Sequence, residues 1–210
     1  MTRLTKQEIY KINLNKEVKT VTGLALFARE FKNIVKGALS AGGAMEQVNI
    51  AFTTMLGSAE AAAALQKDLI EFAKKTPFEL KGIFKSTKQL LAYGIAQEEI
   101  IPTMKMLGNI AAGVCVPVER LVLVFGQIKT MGRLLGQDLN QFAQSGVPLL
   151  DALSKSLGVS KQEVMKLKEE GKISFDDVKT ALESLTKEGG AFFNLMEDQS
   201  KTLRGKKWLN

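Results

Sequence analysis

Hydrophobic residues recur at i, i+3, i+4 and i+7 along the whole chain, and no stretch alternates apolar and polar positions for more than a few residues. This pattern predicts an all-α fold, an array of about 9–11 short to medium helices punctuated by glycine and proline, with no significant sheet. Over residues 21–40, Leu24, Phe27, Phe31, Ile34, Val35 and Ala38 form one stripe, with Arg29, Glu30, Lys32 and Lys36 elsewhere around the helix. That helix is expected to end at Gly42-Gly43. A second should carry residues 44–55 and stop at Gly57, where Ser58 can cap a third from Ala59 to about Lys74. In the third, Ala61, Leu65, Leu69 and Phe72 share a face, and Glu71 and Lys75 stand at i, i+4.

Thr76-Pro77 ends the third helix, because proline disfavours αR at the residue before it. Leu80, Ile83, Phe84, Thr87, Leu90 and Leu91 make the next stripe, closed by Gly94. A helix over residues 96–112 contains Pro102, which opens it after a short turn or kinks it. Pro117 fits the first position of the following helix. There Leu121, Val124, Phe125, Ile128 and Met131 face one way and Val122 and Leu123 another, so this helix should be the most buried. Further on, Ser160-Lys161-Gln162-Glu163 is a capping-box wording with Val159 and Val164 as a hydrophobic staple, and Gly171 supplies a left-handed stop. Ser174 and Asp177 repeat the device with Ile173 and Val178. The expected core is Leu65, Leu69, Phe72, Phe84, Leu91, Leu121, Phe125, Ile128, Leu139, Phe142 and Leu153.

Several turns carry wording that helix packing alone does not demand. These are Thr76-Pro77-Phe78-Glu79-Leu80, Gly126-Gln127-Ile128-Lys129, the run Gly132-Arg133-Leu134-Leu135-Gly136-Gln137-Asp138-Leu139-Asn140-Gln141, and Gly146-Val147-Pro148. With them go Ala51-Phe52-Thr53-Thr54-Met55-Leu56-Gly57, Glu99-Ile100-Ile101-Pro102-Thr103, Gly171-Lys172-Ile173-Ser174 and Gln199-Ser200-Lys201-Thr202-Leu203. As an ordered set over residues 45–205, they resemble the N-terminal conserved region of phage tail tape measure proteins.

The resemblance implies a structural and assembly protein of a phage or prophage tail that sets tail length and is ejected with the DNA. It implies no catalysis and no cofactor. It implies tail tube, tail tip and assembly chaperone proteins as partners; self-association, weak non-specific DNA contact, and membrane contact only during ejection are expected beside these. The location it implies is the host cytoplasm during assembly and then the lumen of the virion tail. Proteins of the family continue into a long helical ruler, whereas a fully helical rod of this chain would span only about 315 Å. A truncated form lacking the ruler is therefore expected, organised as a basic amphipathic segment over residues 1–43, a tape-measure-like helical domain over 44–205 and a short basic tail over 206–210.

Charge refines this picture. The net charge is +7, yet the excess lies at the two ends. Residues 1–40 hold eight lysines and arginines against three glutamates, and Lys201, Arg204, Lys206 and Lys207 follow the last acid, Asp198. Basic ends suit contact with nucleic acid or anionic lipid, or serve solubility alone. Lys6, Glu8 and Lys11 break any secretory h-region, and Gly42, Gly43, Glu46, Gln47 and Asn49 interrupt the least charged window, residues 37–58, too often for a resting transmembrane helix. That window reads as a hinge between helices.

Candidate chemistry is sparse. There is no histidine, which removes the commonest transition-metal ligand and the usual general base near neutral pH. The single cysteine, Cys115, lies between Val114 and Val116 and reads as a small buried hydrophobe. Gly132-Arg133-Leu134-Leu135-Gly136 lacks the ending of a phosphate-binding loop, and Arg133 is expected to bridge or cap a neighbouring helix. Adjacent acids such as Glu98-Glu99, Glu169-Glu170 and Asp176-Asp177 point to different helix faces and cannot act as a glycosidase pair. The helix pair around Gly158 supports one rival function, a helix-turn-helix DNA-binding regulator reading bases with Lys161, Gln162 and Lys166.

Overall fold

The computed structural model describes residues 43–202, and the helix expected over residues 21–40 lies outside them. Ten helices occur among the described residues: α1 Gly43–Leu56, α2 Ala59–Lys74, α3 Leu80–Ala92, α4 Gln97–Val114, α5 Val118–Met131, α6 Gly136–Gln144, α7 Leu149–Leu157, α8 Lys161–Glu169, α9 Phe175–Thr186 and α10 Leu195–Ser200. The fold is all-α. Its one extended pairing among these residues is an isolated antiparallel bridge between Arg133 and Ser174. The described residues from Asn49 onward, 49–202, form a single compact unit.

The punctuation works as written. Gly57 takes φ +67° after α1, and the Ser58 hydroxyl accepts the Ala61 N–H at 3.2 Å to start α2. At α9 the capping box is complete: the Asp177 N–H donates to Ser174 Oγ at 3.1 Å, and the Ser174 N–H donates back to Asp177 Oδ2 at 2.8 Å. At α8 only half of the box forms, with the Glu163 N–H donating to Ser160 Oγ at 3.2 Å. Gly171 is left-handed at φ +69°.

α4 is the hub, packing against α2, α3, α5, α9 and α10. It carries ten buried residues, from Ile100 to Ala112, against seven on α5, so α4 and not α5 is the most buried helix. The reason lies in α5 itself, where Leu123 and Met131 face outward, Met131 at 52% exposure. Phe125 and Ile128 are fully buried, and the Phe125 ring meets that of Phe175 at 4.9 Å between centroids. α4 runs through Pro102 instead of starting at it, and Pro117 caps α5 one position before the expected first turn.

α2 packs against both α3 and α4, which rotates its inner face. Ala62, Leu65, Gln66, Leu69 and Ile70 are buried, while Ala61 and Phe72 are half-buried. Phe72 and Leu91 therefore leave the expected core, and the other nine members are buried. Gln66 is accommodated by donating to Asn49 Oδ1 at 2.9 Å, and Phe52 seats edge-on against Phe84 at 6.1 Å. Glu71 pairs with Lys74 at 2.6 Å, one residue earlier than the expected Lys75.

Cys115 is exposed, not buried. It is the residue that closes α4 in the left-handed region, φ +56°, with its N–H turned back to the Ala111 and Ala112 carbonyls. Helix termination sets its position, and the apolar neighbours Val114 and Val116 do not carry it inward. Phe125→Ala should cost about 3–5 kcal/mol in chemical denaturation, whereas Met131→Ala should stay within about 0.5 kcal/mol of the parent.

Candidate functional site

The motif residues form two groups, which meet where Gly146 packs against Val114 at the end of α4. The first group surrounds the C-terminal half of α4. Thr76 is buried as α2 ends, and Phe78 leans across α4 at Gly108, where an added Cβ would lie 3.0 Å from Phe78 Cε2 and 2.8 Å from Met196 Sδ. Gly113 repeats the arrangement, with an added Cβ only 2.3 Å from the Phe192 ring and 2.8 Å from Leu195. Glycine at these two positions lets α10 lie on α4. Asn109, itself buried, accepts the Met196 N–H through Oδ1 at 3.0 Å, and Gln199 Nε2 donates to the Ala112 carbonyl at 2.7 Å.

Beside α10 a cleft of about 730 Å³ opens between Pro77, Phe78, Pro117 and Val118. Glu79, Cys115, Glu119 and Gln199 also line it. Glu79 caps α3 with its carbonyl alone, which accepts the Ile83 N–H at 3.1 Å, and its side chain makes no capping bond.

The second group shapes the turns between α5, α6 and α7. Gly126 is buried beneath Tyr93, the C-cap of α3, and a Cβ there would fall 1.9 Å from Tyr93 Cδ2. Gln127 Oε1 accepts a long bond of 3.4 Å from Gln141 Nε2. Gly132 ends α5 at φ +69°, after which the Leu134 N–H donates to the Ile173 carbonyl at 2.9 Å and the Phe175 N–H to the Gly132 carbonyl at 3.1 Å. Gly136 opens α6, Gln137 is exposed and Leu139 is buried. Gly146 turns at φ +80° against Val114, and Pro148 caps α7.

Among the described residues Arg133 makes no salt bridge to a neighbouring helix. Its backbone pairs with Ser174, and its guanidinium lies over the Gly171 turn, where a Cβ would come within 2.7 Å of it. Asp138 is 1% exposed; Oδ2 accepts the Leu135 N–H at 3.0 Å, while Oδ1 has no partner. Burial pushes its carboxyl above the usual carboxylate range, opposed by the Leu135 bond.

At the α7–α8 turn Gly158 is left-handed, and Lys161, in the first turn of the supposed recognition helix, is paired with Asp151 of α7. Sequence reasoning missed Tyr93, Asn109 and the docking of α10. The available signal was Gly108 and Gly113 inside one long helix, where each costs about 1 kcal/mol relative to alanine and so implies a close neighbour.

Two outcomes follow from these contacts. Gly126→Ala should destabilise the parent but stabilise a Tyr93→Ala background, where helix propensity favours alanine by up to about 1 kcal/mol; urea denaturation of the four proteins reads the change of sign. For Asp138, a raised folded pKa means that its favourable contribution is complete below the unfolded pKa and is lost as pH rises through the folded one. Asp138→Asn should therefore gain on the parent as pH rises through the carboxylate range, and a pH-independent difference in urea midpoint would contradict this.

Both groups are built from turn, cap and close-approach residues. Among the described residues no cluster of three or more histidine, cysteine or acidic side chains is placed to hold a metal ion, and no helix is long and apolar enough to cross a membrane. No curated protein and no solved structure matches the chain. The family described as tape measure protein matches residues 36–206, from ahead of α1 to beyond α10. With most of its length inside that match, the chain belongs to the tape measure protein family, whose members are structural proteins of phage tails.

Proposed function

We propose that this chain works by association, as the folded N-terminal module of a tape measure that sets tail length and leaves with the genome at ejection. The observation that carries this reading is the family match over residues 36–206. The motif geometry supports it, since Thr76, Phe78, Gly126, Gly132, Gly136, Leu139, Gly146 and Pro148 are all spent on turns, caps and helix contacts. A rigid helical unit of this kind offers surfaces to other tail proteins: tube, tip and assembly chaperones.

Residues 4–40 are the part proposed to exchange partners, because they are basic and amphipathic in sequence. The basic ends imply at most a weak attraction to DNA that is independent of sequence and falls steeply with salt. Membrane contact is assigned only to ejection.

Pull-downs with the whole chain should capture at least one of the tube, tip and chaperone proteins, and deletion of residues 1–40 should weaken that capture while leaving the thermal transition of the helical unit in place. Empty pull-downs with all three, together with turnover of a small-molecule substrate, would overturn the reading. Tight, salt-tolerant binding to one DNA palindrome would favour a regulator instead.

A further inference from the structure

The cleft beside α10 holds two acids that the fold leaves unused. Glu79 stands at the start of α3 and Glu119 in the first turn of α5, and both line the same opening. Neither has an ion-pair or hydrogen-bond partner among the described residues, and no lysine or arginine lines the cleft. Pro77, Phe78, Pro117 and Val118 give the cleft an apolar side, next to the polar Gln199 and Thr202. An unpaired acidic pair above an apolar wall selects a cationic segment that also carries apolar side chains.

Such a segment begins at the edge of the cleft. Thr202, the last described residue, lines it, and the chain continues Leu203-Arg204-Gly205-Lys206-Lys207-Trp208-Leu209, with three cations, no acid and three large apolar residues. Six residues extend about 20 Å at most, enough to cross an opening of this size. Each exposed ion pair is weak alone, but covalent attachment gives the segment a high effective concentration at the cleft.

We propose that residues 203–209 bind in this cleft, with their cationic groups against Glu79 and Glu119 and Trp208 against the apolar wall. The chain then leaves the helical unit in one fixed direction beside α10. This assignment stands independently of the tail-length role.

The chain has a single tryptophan, Trp208, and a single cysteine, Cys115, which lines the same cleft. Acrylamide quenching of Trp208 in the whole protein, compared with a free peptide of residues 203–210, reads whether the segment is held. Quenching should be several-fold weaker in the protein and should approach the peptide value in the double variant Glu79→Gln/Glu119→Gln and at high salt. Alkylation of Cys115 should be faster in the variant than in the parent. Circular dichroism establishes that the variant is folded; if it is not, the single variants Glu79→Gln and Glu119→Gln replace it, each expected to give a partial effect. Three results would overturn the proposal: quenching in the parent equal to that of the free peptide, protection that survives loss of both acids, or protection that appears only as protein concentration rises, which would place the segment on a second copy.

Discussion

Everything in this fold depends on burying α4 on many sides at once. A helix packed against five others must let some of them approach its backbone closely, and side chains larger than hydrogen at Gly108 and Gly113 would hold α10 away. The cost of glycine inside a helix is offset by what enters: Phe78 and Met196 over Gly108, Phe192 and Leu195 over Gly113. Asn109 then uses a buried amide to fix the register of α10 through the Met196 N–H. Polar satisfaction and close approach act at the same stretch of helix, so α10 has one seat.

The same logic governs the second group of motif residues. Gly126 admits Tyr93, and the turn from Gly132 to Leu134 borrows two backbone bonds from the strand-like stretch ending at Phe175. Those bonds tie the α5–α6 connection to the α8–α9 connection, two parts of the chain about forty residues apart in sequence. Asp138 is the expensive member of this arrangement: its carboxylate caps α6 by accepting the Leu135 N–H, at the cost of burying an oxygen with no partner.

How much of this was legible depended on whether the signal was local. The helices, their stops at Gly57, Gly94 and Gly171, and the caps at Ser58 and Ser174 could be read because each is decided by a few neighbouring residues. The faces of α2 and α5 were read less well: periodicity locates an apolar stripe only to within a residue or so, and the partners of a helix decide the rest, as Phe72 and Met131 show. Cys115 was misread because hydrophobic neighbours were weighed above the need for a left-handed residue after α4. The wording of the motifs identified the family, but their roles as contact and turn positions emerged only from the tertiary arrangement, since Tyr93 and Phe192 lie far in sequence from the glycines they cover.

The central claim is that α4 is the element on which the other helices assemble. Native-state hydrogen exchange across the whole chain tests it most directly. Amides in the middle of α4, from Met104 to Ala111, should exchange only through global unfolding and show the highest protection in the unit, while α8, with one buried residue, opens locally. Equal or faster exchange in α4 than in α8 would contradict the account.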